Sequence, residues 1–556
     1  MANTLGIGTT ALSALQRAIS TTGQNIANVN TDGYSRQSVT FSARPAQDIG
    51  AGYLGSGVQV TSIDRAYSQF MANDVQQRTA SSGYYSLYAN AAERVDSMLG
   101  DPSTSITQAM DSFFASAEAV ANSPTSLPER QVMLSNAETL VQRFDYIVGR
   151  VDDVTKEMNS QIAGAVSEIN QLAGGIATLN EEIAKVSGRT GGLPNDLLDQ
   201  RDALIVQLSS LVDTKTVAQD DGSLNVFIGR GQPLVTGSVA ETMATQTDPD
   251  LGSTSIVTLS AFVAGSSDVS DFLTGGKLGA ALTVTDEVVN PTRRELNLLA
   301  VGFAETVNAI QEGGDDLQGV NGTALFTETE GVVKTAPSVD DSTANSGNAA
   351  VTFTVTDAKL LTGDSYRLDY TATGVNLRNL TTDAVTTLGA SPATVDGVQI
   401  TYTAQVATGG AGANQGDAFI VDPVFQASRF LEVKIDDPAK IAAASNGGAA
   451  GNNSNMLAMI ELRDQSLLKG STATYGEVYN NLLSDVAVRT QRAQSSAETE
   501  TSLLSSALDR QSSLQGVNLD EEAANLVRYQ QAYQAAAQIV AVANEVFDTL
   551  LRATSR

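Results

Sequence analysis

The stretch LDEEAANLVRYQQAYQAAAQIVAVANEVFDTLL, residues 519–551, places Leu519, Ala523, Leu526, Gln530, Tyr533, Ala537, Val540, Asn544, Phe547 and Leu551 at alternating three- and four-residue steps. That is the spacing of a helix built to lie along another helix. The opposite end of the chain repeats it with Leu12, Leu15, Ile19, Thr22, Ile26 and Val29. Several hundred residues of different character lie between. The termini are therefore expected to pair, to carry the middle outward, and to form an assembly interface along these two rows. The pattern is that of a polymer subunit.

Moving inward, a longer row runs from Leu134 through Phe144, Val151, Met158, Ile169, Ile176 and Ile183 to Val186, and no proline falls between Pro128 and Pro194. The row predicts a helix roughly 80 Å long at ~1.5 Å per residue, with Gly164, Gly174 and Gly175 as weak points where it could bend. Further helices are expected at 196–211, about 292–311, about 455–468 and 474–512. Two segments break this pattern. In 216–262, Leu224, Val226 and Ile228 alternate before the turn Gly229-Arg230-Gly231. In 331–436, Val351/Phe353/Val355, Tyr366/Leu368/Tyr370, Val398/Ile400/Tyr402 and Phe419/Val421 alternate. Residues 39–63 also read as extended, and the run Asn446 to Asn455 reads as a flexible loop returning to the helices.

The expected fold class is α+β and multidomain, with terminal coiled-coil helices, a long-helix bundle and inserted β-rich outer domains. The expected domains are a terminal assembly domain (1–60 with 505–556), a bundle (61–215 with 263–330 and 437–504), a small β insertion (216–262) and an outer β domain (331–436).

Composition narrows the chemistry. The 556 residues include no Cys, no His and no Trp. Thiolate and imidazole metal sites, disulfides, Cys nucleophiles and Ser-His-Asp triads are all excluded. A net charge of −29 argues against nucleic acid as a partner. The charge is concentrated in the body: residues 1–60 carry +1 and residues 505–556 carry −2. Nearly neutral ends can pack against copies of themselves while the charged body keeps the chain in solution. No stretch approaches the ~20 apolar residues of a membrane span. The start, Met1-Ala2-Asn3-Thr4-Leu5-Gly6, lacks a basic region and a long apolar run. Either a cytoplasmic address or export without a cleaved signal fits that start.

Two motifs make the reading specific. Ser13-Ala14-Leu15-Gln16 is followed by Asn25-Ile26-Ala27-Asn28-Val29-Asn30-Thr31-Asp32-Gly33-Tyr34-Ser35-Arg36, and the C-terminal end carries Gly516 through Leu526 with Tyr529 through Ala535. These segments resemble the two ends of bacterial flagellar axial proteins, the family of rod, hook and hook–filament junction subunits. Asn195-Asp196-Leu197-Leu198-Asp199-Gln200-Arg201-Asp202, Gly275-Gly276-Lys277-Leu278-Gly279 and the Asn-rich return before Met456 are similar to the first hook–filament junction proteins in particular. Ala536 departs from an Asn common in the family, and 331–436 carries no recognisable signature.

The resemblance implies a structural adaptor that self-assembles at the distal end of the hook and joins hook to filament. Its implied partners are itself, hook protein, a second junction protein and an export chaperone, with no nucleic acid, membrane, metal or cofactor. It also implies extracellular delivery by the flagellar type III route and terminal segments that fold on assembly. An N-terminal helix of about five turns, marginal alone in water, agrees with that. A hook or rod protein is the alternative within the family, disfavoured by the 134–186 row and the 195–202 motif. From other classes, a rod-type scaffold could carry a peptidoglycan hydrolase working with two carboxylates, or an adhesin could present the outer β domain.

Individual residues carry sharper expectations. Gln530 and Asn544 either fix register within the C-terminal row or face water. Asn25, Asn28, Thr31, Gly33, Tyr34 and Arg36 form the signature turn. There the Asn side chains would hold the turn, Gly33 would permit positive φ, and Arg36 would be either a solvated charge or an anchor to a carboxylate. Gly50 to Gly55 fits G-x-G-x-x-G, but Arg44-Pro45 precedes it and an alternating strand follows, so it reads as a connector. Asp152/Asp153 and Glu181/Glu182 read as solvated helix faces. Asp220-Asp221-Gly222 lacks the later glutamate of a calcium loop.

Overall fold

The computed structural model describes residues 2–48, 53–190, 192, 194–247, 254–259, 266–327, 331–336, 345, 349–371, 374–403 and 416–554. Gly50 and Gly52 of the predicted connector, and parts of both predicted β segments, lie outside the described residues. The helices are α1 (Ala2–Ala27), α2 (Gln69–Gly100), α3 (Ile106–Asn122), α4 (Leu127–Thr190), α5 (Asn195–Leu211), α6 (Gly276–Val284), α7 (Asn290–Glu312), α8 (Ser454–Glu461), α9 (Tyr475–Gln515) and α10 (Leu519–Thr554). With the antiparallel sheets described below they make an α+β multidomain fold. Among the described residues no helix is long and apolar enough to cross a membrane.

The chain divides into two compact units. The first comprises Met1–Tyr88, Asn159–Leu282 and Ala493–Arg556; the second comprises Ala89–Met158 and Thr283–Arg492. Helices α2, α4, α6 and α9 contribute residues to both.

In the first unit, Ile162, Ile169, Ile176 and Ile183 of α4 are buried, as are Leu198, Ile205 and Leu208 of α5. Two asparagines among the apolar positions of α4 act as edge partners for sheets. Asn170 donates to the Met243 carbonyl at 2.8 Å and accepts its N–H at 2.9 Å. Asn180 donates to the Leu224 and Gly237 carbonyls and accepts the Leu224 N–H. Each amide supplies both halves of a backbone hydrogen-bonding pattern. They hold a four-stranded meander (Thr214–Ala218, Leu224–Ile228, Gln232–Thr236, Val239–Ala240) and a three-stranded sheet (Thr242–Thr247, Thr254–Leu259, Ser266–Asp268). A separate hairpin pairs Gln37–Ala43 with Val58–Arg65.

The second unit is built on aromatic packing. Phe113 and Phe114 of α3 meet Phe303 of α7 with centroids 5.4 and 5.9 Å apart, and Phe326 and Tyr475 complete the cluster. The Tyr475 hydroxyl pairs with Thr306 Oγ1 at 2.5 Å. Arg130 is 1% exposed, and its guanidinium donates to the carbonyls of Pro124, Pro438 and Ile441. Burial lowers its pKa from the ordinary arginine value. A five-stranded sheet runs Val332–Ala336, Ala418–Asp422, Tyr366–Thr371, Gly374–Asn379, Val385–Thr387, and a three-stranded sheet runs Val351–Val355, Val398–Tyr402, Ala393–Val395. Tyr366, Leu368 and Tyr370 alternate into the core, as their period-two spacing requires.

Several expectations are corrected. Helices α2 and α3 have no counterpart in the sequence reading, although Ile106, Met110, Phe113, Ala117 and Val120 of α3 follow a clear helical period and are buried. Helix α8 stops at Glu461, well short of 468. The chain then turns through Lys469 and Ser471, both at positive φ. Helix α1 has 26 residues, about seven turns at 3.6 residues per turn, not five. The Asn446–Asn455 run is fastened rather than loose. Asn452 Oδ1 accepts the Ser445 and Ser454 N–H groups, Asn453 donates to Ala121 O, and the buried Asn455 amide donates to the Ile310 and Ala442 carbonyls.

Candidate assembly interface at the chain termini

Helices α1 and α10 pack together within the first unit. Gly8 lies against Val540 and Asn25 against Glu522, so the pair is antiparallel. The buried residues of α1 are Gly8, Ala14, Ala18, Thr21, Thr22 and Asn25, and of these Gly8 and Asn25 meet α10 directly. A Cβ on Gly8 would fall 2.6 Å from Val540 Cγ2, so the two backbones approach as closely as glycine allows there. On α10 the buried residues are Glu522 and Ala536, and Leu526, Tyr529, Ala532, Val540 and Ala543 are half-buried.

The predicted rows are thus only partly the contact between these helices. Leu12, Leu15, Ile19, Ile26 and Val29 flank the α1 contact face and remain half-buried. On α10, Leu526, Ala537 and Val540 are half-buried, whereas Leu519, Ala523, Gln530, Tyr533, Asn544, Phe547 and Leu551 are exposed. The covered side of α10 mixes Leu526, Tyr529 and Val540 with Ala532 and Ala543 around the buried Ala536. Val542 and Phe547 are 58% and 56% exposed, and Ile539, Val546 and Leu551 are exposed as well. A groove of about 450 Å³ beside α10 is lined by Thr4, Ala535, Gln538, Ile539, Val542, Ala543 and Val546.

The signature turn forms the polar end of this pair. Asn25 is 1% exposed; its amide donates to Gln37 O at 2.8 Å and to Glu522 Oε2 at 3.1 Å, and its Oδ1 accepts the Tyr34 hydroxyl and the Gln37 N–H. Asn28 donates to Gln24 O, and its Oδ1 accepts Thr31 Oγ1–H. Gly33 turns the chain at φ +77°, where a larger residue would be strained. Arg36 proves to be an anchor: its Nε donates to Glu522 Oε1 at 2.8 Å and its Nη1 pairs with Glu521 at 3.0 Å. Glu522 is itself 2% exposed and binds both Asn25 and Arg36.

The 195–202 motif closes the other side of this turn. Asp199 accepts the Ser35 N–H at 2.9 Å and a hydrogen bond from Arg65 Nη1 at 2.8 Å, while Asp196 accepts from Gln37 Nε2. Arg65 also lies 2.7 Å from Asp202 Oδ2, an ion pair without hydrogen-bond alignment, and its guanidinium stacks 4.0 Å above the Tyr67 ring. Arg201 continues the network to Asn180 Oδ1 and Gly222 O. Burial pushes the Asp202 carboxyl up, against the pull of Arg65. Burial, then Asp196, Asp199 and Glu522, pushes the Tyr34 hydroxyl up to about 12. Glu522 and Asp199 lie within segments quoted for the resemblance, but the sequence reading gave neither of them nor Arg65 a role in this network. The acidic run Asp520-Glu521-Glu522 reads simply as favourable charge on a helix N-terminus.

Comparison with known proteins covers the same regions. Residues 5–34 match the flagella basal body rod protein family, 512–553 the flagellar basal body rod FlgEFG protein C-terminal family, and 92–326 the flagellar hook-associated protein FlgK helical domain. The chain is 32% identical to flagellar hook-associated protein 1 of Escherichia coli K12, covering 97% of both chains. It is 32% identical to the protein of that name from Salmonella typhimurium LT2, over 97% of this chain and 98% of that one. Its fold is similar to the flagellar hook junction protein FlgK from Burkholderia pseudomallei, with TM-score 0.70 and 22% identity over 79% of this chain and all of that one. With both terminal signatures, the helical middle and nearly the full length accounted for, the chain belongs to the flagellar hook-associated protein 1 family.

Proposed function

We propose that this chain is the structural adaptor that assembles at the distal end of the hook and joins hook to filament. The observation that carries this is the terminal helix pair, closed where Gly8 meets Val540 and Asn25 meets Glu522, with large apolar side chains on α10 left uncovered. Exposed apolar surface of this extent marks an interaction site. The assembly interface comprises the flanking row of α1 and the exposed row of α10, in a terminal domain formed by 1–60 with 505–556. Copies of this chain, hook protein and a second junction protein are the partners at that surface. An export chaperone covers the termini before delivery through the flagellar type III route without signal cleavage. The role is mechanical and not catalytic.

Electron microscopy of a deletion strain, with flagellin assayed in the medium, tests this. Completed hooks without filaments and flagellin lost to the medium are expected. Absent hooks would move the protein to the rod or hook, and normal filaments would overturn the proposal. A chain lacking 1–36 and 516–556 is expected to keep most of its secondary structure and fail to restore motility. Restored motility would show that the ends do not carry assembly.

A further inference from the structure

Residues 1–60 contain three arginines, and among the described residues only one of them has an ion-pair partner. Arg36 pairs with Glu521 and Glu522. Arg17 on α1 and Arg44 beside the hairpin are exposed, and among the described residues neither guanidinium has an ion-pair partner, in a chain with 62 carboxylates. Both line one notch of about 240 Å³ between α1 and the strand Val58–Arg65, whose other polar walls are Thr10, Ser13 and Gln59. The notch joins two unmatched positive charges to hydrogen-bonding side chains in a concave site.

The complementary feature is on α10. Asp520, Glu521 and Glu522 sit at its N-terminal turn, where the helix dipole and Arg36 accommodate them. Glu545 and Asp548 lie one turn apart near the other end, exposed, and among the described residues neither has an ion-pair partner. They border the exposed Val542, Val546 and Phe547, with Arg552 one turn beyond Asp548, so this ridge of α10 is apolar and, with two acids to one base, net acidic. The register that sets Gly8 against Val540 and Asn25 against Glu522 puts Arg17 opposite about residue 530. Asp548 is then roughly 27 Å away along the same pair at ~1.5 Å per residue. The two features cannot meet within one chain.

We propose that the Arg17–Arg44 notch of one copy receives the Glu545–Asp548 ridge of the α10 helix of a second copy. The contact is heterologous: one surface meets a different surface on the next molecule, so it propagates from copy to copy. It rests on the reading that copies of this chain associate through their termini, and it adds which surfaces meet and in what direction.

The absence of native cysteine makes the test direct. Flagella are isolated from strains carrying the full chain with Arg17→Cys and Asp548→Cys together, Arg44→Cys and Asp548→Cys together, or each change alone, and are oxidised mildly. A ladder of disulfide-linked copies on a non-reducing gel is expected from at least one double variant and from no single one. In parallel, Arg17→Glu with Arg44→Glu, and Glu545→Arg with Asp548→Arg, are each expected to cut filament number at least tenfold. The fourfold variant is expected to recover to within about threefold of the native chain. Double-cysteine chains present at the hook tip with no ladder would overturn the notch contact and leave the junction role standing, as would charge reversals with unchanged filament number. If the native chain were absent from the hook tip, the junction role itself would fall. Loss of filaments in both reversed pairs without recovery in the fourfold variant would also overturn the contact.

Discussion

The aromatic cluster of the second unit and the terminal helix pair of the first use large apolar residues in opposite ways. Phe113, Phe114, Phe303 and Phe326 are fully buried within their own chain. Phe547, Leu551 and Val542 are more than half exposed, while α1 and α10 meet where Gly8 lies against Val540 and Asn25 against Glu522. Burying a side chain of this size contributes about 1.5–3 kcal/mol. The second unit gains that inside the folded chain. The terminal pair gains it only when another surface covers the row. A hydrophobic pattern in sequence therefore marks what must be buried without marking which molecule buries it.

This contrast can be broken by experiment, beginning where the effect is largest. Phe303→Ala should destabilise the second unit by about 3–5 kcal/mol, seen as faster hydrogen exchange through α3 and α7; exchange unchanged there would mean the cluster does not hold the unit. Glu522→Ala leaves the Asn25 amide short of an acceptor and Arg36 with only Glu521, and should weaken the terminal pair by about 1–3 kcal/mol. Exchange in α1 should rise, with Glu522→Gln recovering part of the loss. Gly8→Val should cost about 1–3 kcal/mol by overpacking against Val540, with α1 alone losing protection.

Smaller still is an alkaline effect. Tyr34 and Tyr67 are pushed up to about 12 from 10.0, chiefly by burial. A hydroxyl whose folded pKa is raised holds its proton more tightly in the folded state. Its contribution to stability is therefore complete below about pH 10 and is lost as pH rises through 12. Tyr34→Phe should flatten that part of the stability profile, followed by tyrosinate absorbance, and an unchanged profile would remove Tyr34 from the account. The smallest expected effect is that of Phe547→Ala on the isolated chain, within about 0.5 kcal/mol of native stability, although filaments should be lost. A large stability loss would show that Phe547 already packs within its own chain.

Much of this architecture was legible in the sequence. The unbroken row from Leu134 to Val186 gave α4, and the alternation at Tyr366/Leu368/Tyr370 gave a core strand. Gly229 and Gly231 turn at positive φ where the sequence placed a turn. What escaped notice has physical causes. Helix α2 is rich in Ala, Ser, Gln and Tyr and presents no continuous apolar stripe. The covered side of α10 includes Ala532, Ala536 and Ala543, which carry almost no hydrophobic signal beside the large apolar residues elsewhere on the helix. The signature turn was recognisable as a turn, but its partners Glu522 and Asp199 are 497 and 164 residues from the groups they bind. No local pattern connects such positions.

The α1–α10 pair is keyed mainly at one end. Val540 seats against Gly8 toward the other, and the directional side-chain bonds cluster where Asn25 and Arg36 grip Glu522. Load applied along the helices therefore collects at that end instead of spreading over the pair.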